Sequence, residues 1–152
     1  MSNVRIEESW YNEKEGLSCV TVSSKWGRFT EYAVVSEADK DIANRWDGCE
    51  FAYYKCMIDY YQAKARAFRE RANGMEHAAN VLCGQKYDPN RVAFNYNDDS
   101  ILSVRCCAEV AVDESVRYHR KAKEMKDGYK DYVKKTLDNR RALRKKGDSS
   151  DS

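Results

Sequence analysis

Up to about residue 35 the chain alternates apolar and polar positions in short runs; beyond residue 36 the apolar positions recur every three or four residues. The first run, VRIEESWYN, places Val4, Ile6 and Trp10 on one face, and EKEG follows as a turn ending in Gly16. LSCVTVSS is β-branched and alternating, KWG turns it at Gly27, and RFTEYAVV returns. This pattern predicts a three-stranded antiparallel meander over 4–35. So small a sheet is marginal alone and must pack on something.

The partner begins after Ser36. SEAD sets a serine three residues before Asp39, a weak capping box, and predicts a helix over 40–83. Its first apolar stripe is Ile42, Trp46, Cys49, Tyr53, Cys56, Tyr60, Ala63 and Ala67. A second, offset by one position, is Tyr54, Ile58, Tyr61, Ala65, Phe68, Ala72, Met75, Ala79 and Leu82. A helix with one neighbour needs one stripe, so two stripes predict two neighbours. The tyrosine pairs of YYKCMIDYY are divided between them, as core, partner interface or ligand-stacking surface.

Gly84 and Asp88-Pro89-Asn90 break the pattern, giving a loop over 84–100 that holds the aromatic run RVAFNYN. A second helix over 101–145 keeps one frame: Ile101, Val104, Ala108, Ala111, Ser115, Tyr118, Ala122, Met125, Tyr129, Tyr132, Thr136 and, after a polar step, Leu143. The predicted fold class is α+β, an N-terminal three-stranded antiparallel β-meander followed by a long antiparallel helical hairpin with coiled-coil-like packing. It forms a single domain over 1–147, with residues 148–152 as a disordered acidic tail.

Composition supports helices: 34% of residues are charged and there is a single proline. Net charge is only +2, but Arg120 to Lys146 holds twelve Lys/Arg against four Asp/Glu, while the first sixty residues lean acidic. Such asymmetry serves nucleic acid, an anionic ligand, self-association, or simply a solvated helix end. The chain carries no run suited to a membrane span and no apolar N-terminal leader, so a cytoplasmic protein without membrane contact is expected. Its six cysteines then read as reduced thiols, and with no C-x-x-C pair and two histidines no metal site is expected.

No phosphate loop, dinucleotide fingerprint or nucleophile elbow is present, so no catalytic residue and no cofactor is assigned. Binding chemistry has better candidates. Folding the hairpin so that Cys83 meets Ile101 brings Arg66, Phe68 and Arg69 level with Arg117, Tyr118 and Arg120. Guanidinium groups offer bidentate donors to phosphate, and aromatic rings offer stacking planes. In the loop, Phe94 and Asn95 are candidates to stack on a base and read its edge, with Arg105 nearby for phosphate. An ion-paired, solvated helix face accounts for the same arginines more simply.

SSKWGRFTEYAVVSEAD, followed by the glycine-containing helix start DGCEFA, resembles the strand–turn–strand and helix start of small phage proteins that counter bacterial defence. The plan over 4–145 is similar to the first Thoeris anti-defence family. That resemblance implies a protein of the host bacterial cytoplasm that binds a cyclic ADP-ribose-type signalling nucleotide, made by TIR-domain enzymes, without cleaving it. It implies a homo-oligomer, a dimer or hexamer, with Tyr54, Ile58 and Tyr61 as subunit interface. The alternative is an anti-CRISPR-type inhibitor that binds a nuclease or nucleic acid through its charged helical surface.

Overall fold

Gly16 and Gly27 take positive φ angles of 62° and 140°, which non-glycine residues rarely adopt, and each closes a hairpin where the sequence predicts one. The computed structural model describes residues 3–86 and 98–150. Three strands, β1 (Arg5–Asn12), β2 (Leu17–Ser24) and β3 (Gly27–Val34), form an antiparallel sheet in the order β1-β2-β3. Two long helices follow, α1 (Arg45–Lys86) and α2 (Asp98–Ser150). The predicted class, a β-meander followed by a helical hairpin, is the observed one.

All four helix boundaries differ from the predicted ones: α1 starts at Arg45 and runs past Gly84 to Lys86, and α2 opens at Asp98. Ser36 and Asp39 bond to each other (Oγ to Oδ2, 3.2 Å) around a single 3-10 turn at Glu37–Asp39, so SEAD does not open the long helix. That role falls to Asn44, whose Oδ1 accepts the Asp47 amide at 2.8 Å while its Nδ2 donates to the Asp47 carboxylate, also at 2.8 Å. Asn44 thus caps the helix eight residues later, in NRWD, with Asp47 in the first turn where the helix dipole favours an anion. At the other end α2 runs through Ser150, past the predicted stop at 145, and the first residues of the expected tail are helical. A lone Gly147 at a helix end is too weak a breaker without a following proline.

The chain forms two compact units, Met1–Tyr61 with Lys121–Ser152, and Gln62–Arg120. In the first unit Val20, Val22 and Ala33 of the sheet bury against Phe51, Ala52 and Cys56 of α1, with Phe29, Cys49, Tyr53, Tyr129, Tyr132 and Val133 around them. The first stripe of α1 thus meets the sheet. Trp46, assigned to that stripe, is 71% exposed, because it stands in the opening turn of a helix that begins later than predicted.

Ile6 and Trp10 do not share a face. The register runs Ile6↔Val22 and then Glu8↔Thr21, leaving Glu7 as a bulge, and Trp10 pairs with Cys19. Val22 and Cys19 are three apart, so they point to opposite faces, and so do their partners on β1. Ile6 turns toward α1, and Trp10 lies edge-on to Tyr32 at 6.2 Å on the outer face.

Tyr54 and Ile58, expected at a subunit face, have neighbours within the chain. Tyr54 donates its hydroxyl to the Met125 carbonyl at 2.8 Å and stacks on Tyr132 at 5.2 Å, tilted against Tyr129 at 5.4 Å. Ile58 is buried, and Tyr61 packs its ring against Tyr60 at 5.0 Å. The second stripe therefore begins by covering α2 within the chain. Sequence periodicity counts neighbours but does not say whether they are intramolecular.

The charge asymmetry resolves within this unit as well. Arg140 makes two bonds to Asp47 (2.9 and 3.1 Å), Arg141 two to Asp39 (2.9 and 2.6 Å), and Arg144 reaches both oxygens of Asp41 at 2.8 Å. The guanidiniums of Arg141 and Arg144 hold the Asp39 and Asp41 carboxyls below their usual range. Burial opposes ionisation of Asp47, but Arg140 and Asn44 outweigh it and its pKa also falls. Leu143, predicted to continue the apolar frame, is 59% exposed; beyond Asn139 the arginines make the contacts instead.

One carboxyl behaves oppositely. Burial, together with a side-chain hydrogen bond to Glu31 on β3, raises Asp59 from 3.8 to about 7. A folded pKa above the unfolded value means the contribution to stability is complete below pH 3.8 and is lost as pH rises through 7. The protein should therefore be more stable near pH 5 than near pH 8, by about 1–2 kcal/mol once solvent screening of this partly exposed group is discounted. Asp59→Asn should flatten that slope in chemical denaturation. An unchanged slope would show that folding does not raise the Asp59 carboxyl above its ordinary range.

Candidate ligand groove

In the unit spanning residues 62–120 the seam between the helices is built from small side chains. Ala65, Ala72 and Ala79 on α1, and Ala108, Ala111 and Ser115 on α2, are all buried. Heptad spacing keeps them in line, and their size lets the backbones approach. Ser115 Oγ donates to the Ala65 carbonyl across the seam at 2.7 Å, a reach possible only where the helices lie close. A seam too narrow for long side chains displaces them to its two flanks.

On one flank Gln62, Arg66 and Arg69 form an i, i+4, i+7 row along α1, facing Val116 and His119 of α2 over a floor of Ala65 and Ser115. They enclose an open groove of about 580 Å3, within the size range of small-molecule sites. Arg66 and Arg69 are exposed, and neither bonds to a carboxylate among the described residues. Two guanidiniums one turn apart present donors of one sign to whatever enters, and the Gln62 amide and His119 imidazole beside them can each donate or accept.

The other flank holds a separate cluster. Phe68 stacks on Tyr118 with centroids 5.7 Å apart and planes 26° from parallel. Lys64 Nζ lies 4.0 Å from the Tyr118 ring centre, Arg117 5.7 Å from the same ring, and Arg71 5.2 Å from that of Phe68. Arg117 also meets Glu114 at 3.7 Å.

The predicted site is therefore divided. The hairpin register is as expected, and it brings Arg66 and Arg69 into a groove. Phe68 and Arg117 belong to the opposite flank, where Phe68 already has a ring against it and Arg117 an acid. Position 68 lies two residues past 66 and one before 69, about 200° and 100° around the helix, which carries it to the other side of the seam. Arg105 donates to Asn80 at 3.3 Å, elsewhere on the pair, and Arg120 is exposed without lining the groove. Phe94 and Asn95 lie outside the described residues. The groove adds Gln62, Ser115, Val116 and His119, which sequence reasoning left in the seam or on the surface. The signal for them was the i, i+4, i+7 row through Arg66 and Arg69, read together with the pairing of residue 65 with 115.

Among the described residues no cluster of metal-ligating side chains gathers and no helix is long and apolar enough to cross a membrane. All six cysteines are free. Comparison with protein-family models, curated proteins and solved structures finds no match.

Proposed function

We propose that this protein binds a small phosphorylated ligand in the Arg66–Arg69 groove and holds it without chemical turnover. The observation that carries this reading is the pair of exposed arginines, without carboxylate partners among the described residues, over a concavity of ligand size. Guanidiniums left unneutralised beside a concavity suit phosphate oxygens, which accept two bonds from each. On the resemblance of its plan to the first Thoeris anti-defence family, the ligand is a cyclic ADP-ribose-type signal made by TIR enzymes. The protein would act for a phage by sequestering that signal from host immunity. Sequestration needs molar excess and affinity on the nanomolar scale, about −12 kcal/mol.

The rival nucleic-acid reading rests on the basic stretch 120–146. Three of its arginines, Arg140, Arg141 and Arg144, are already matched by Asp47, Asp39 and Asp41, which leaves fewer cations for a phosphate backbone.

Isothermal titration with a panel of cyclic ADP-ribose isomers, followed by heat release and mass identification, tests the proposal. Tight binding with intact ligand recovered is the expected result. Altered ligand would make the protein an enzyme, and absence of binding across the panel would remove the signal assignment. Steep loss of affinity with salt for an oligonucleotide would favour the rival.

A further inference from the structure

The two edges of the sheet are treated differently. Along β3, α1 supplies contacts: Lys55 Nζ donates to the Tyr32 carbonyl at 2.9 Å, Cys56 Sγ to that of Phe29 at 3.6 Å, and Asp59 bonds to Glu31. Along β1 the corresponding contact is a long approach of Cys49 Sγ to the Trp10 carbonyl, 4.0 Å. Every residue of β1 except Tyr11 is exposed.

Large apolar groups gather on both faces of this open edge. Ile6 (55% exposed) and Trp46 (71%) line a groove of about 470 Å3 with Val20, Cys49 and Tyr53, running between the strand and α1. Trp10, on the other face, leans on Tyr32, itself half exposed. An open strand edge beside an apolar strand–helix groove is the geometry to which an extended segment adds.

We propose that β1 is a strand-pairing edge and that its occupant is β1 of a second copy of this chain, antiparallel and centred on Trp10. The register argues for a second copy. The Glu7 bulge, tied to Arg28 by an ion pair of 3.0 Å, interrupts pairing at the start of the strand and leaves Glu8–Asn12 as the regular segment. Paired with itself about Trp10, this segment sets Ser9 against Tyr11 on the groove face, and Trp10 against Trp10 and Glu8 against Asn12 on the outer face. No like charges oppose, and the faces match. A slip of one residue in one strand would oppose inward to outward side chains. The product is a two-fold, six-stranded sheet in which Trp46 and Tyr53 of each copy face each other across the new strands, an isologous contact. It leaves Tyr54, Ile58 and Tyr61 to their contacts within the chain and does not depend on the ligand proposal.

Light scattering and sedimentation of the full chain over a concentration series test this. A dimer is expected, weakened about tenfold or more by Trp46→Glu, the scale of losing an aromatic anchor. Val110→Glu, a change at a 62% exposed residue of the other unit, should leave it intact. Mild oxidation of Trp10→Cys, once its circular dichroism matches the parent, should link position 10 of two chains, as peptide mapping would show. A monomer at every concentration overturns the proposal, as does a dimer indifferent to Trp46→Glu or lacking that cross-link. A monomer whose β1 amides gain exchange protection only on adding an extended foreign peptide would assign the edge to another protein.

Discussion

Gly48→Ala should destabilise the protein by about 3 kcal/mol or more, although the same change in an ordinary helix adds about 1 kcal/mol of stability. The reason is Ser18 on β2. A β-carbon on Gly48 would overlap the Ser18 hydroxyl and stand 2.9 Å from its Cβ. Ser18 is 1% exposed on the central strand, so a shift of its side chain must displace packed neighbours. Its hydroxyl has no hydrogen-bond partner among the described residues, which already costs roughly 1–3 kcal/mol. The missing side chain on Gly48 is what lets α1 settle on β2. Urea denaturation of Gly48→Ala, Ser18→Gly and the double variant forms the deciding cycle. The expected result is a large loss for the first and partial recovery in the double variant, with a coupling well above 0.5 kcal/mol. A stabilised Gly48→Ala would mean that helix and strand are further apart than described.

Removing both groove arginines, Arg66→Ala with Arg69→Ala, should weaken binding of the phosphorylated ligand by about 3 kcal/mol or more, over a hundredfold. Each contributes charge-assisted bonds worth about 1.5–3 kcal/mol. Both are exposed, so thermal stability should hardly move. Arg117→Ala is the matched control, since that residue faces Glu114 and Tyr118 on the other flank; it should change affinity less than threefold. Titration of the three proteins with whichever isomer binds the parent checks this. Equal losses for Arg117→Ala and the groove pair would return the site to the undivided cluster that the sequence suggests.

How legible was each part? The strand turns were, because Gly16 and Gly27 occupy backbone conformations that other residues avoid. The frames of both helices were, because 58, 65, 72 and 79 on α1 and 101, 108, 115 and 122 on α2 each recur every seven residues and are all buried. The helix start was misread because SEAD and NRWD offer the same capping chemistry, and the choice between them depends on where Arg140 and Arg141 arrive. The Glu7 bulge was invisible, since inserting one residue in an alternating strand leaves composition untouched while reversing every face beyond it. Half the site was legible for a similar reason. Sequence gave the level of the arginines along the hairpin, but which flank each takes depends on how narrow the alanine seam is.

Local preference and periodicity, carried by single residues and their spacings, determined the class, the element order, the turns and the two stripes. Tertiary packing decided what covers each stripe: the sheet under Tyr53 and Cys56, α2 under Tyr54. It also decided that the basic C-terminal arginines answer the acidic front of the same chain, and that Arg66 and Arg69 stand apart from Phe68. Those outcomes join residues some fifty to a hundred positions apart, and long-range pairing is set by shape and charge that only the folded chain brings together.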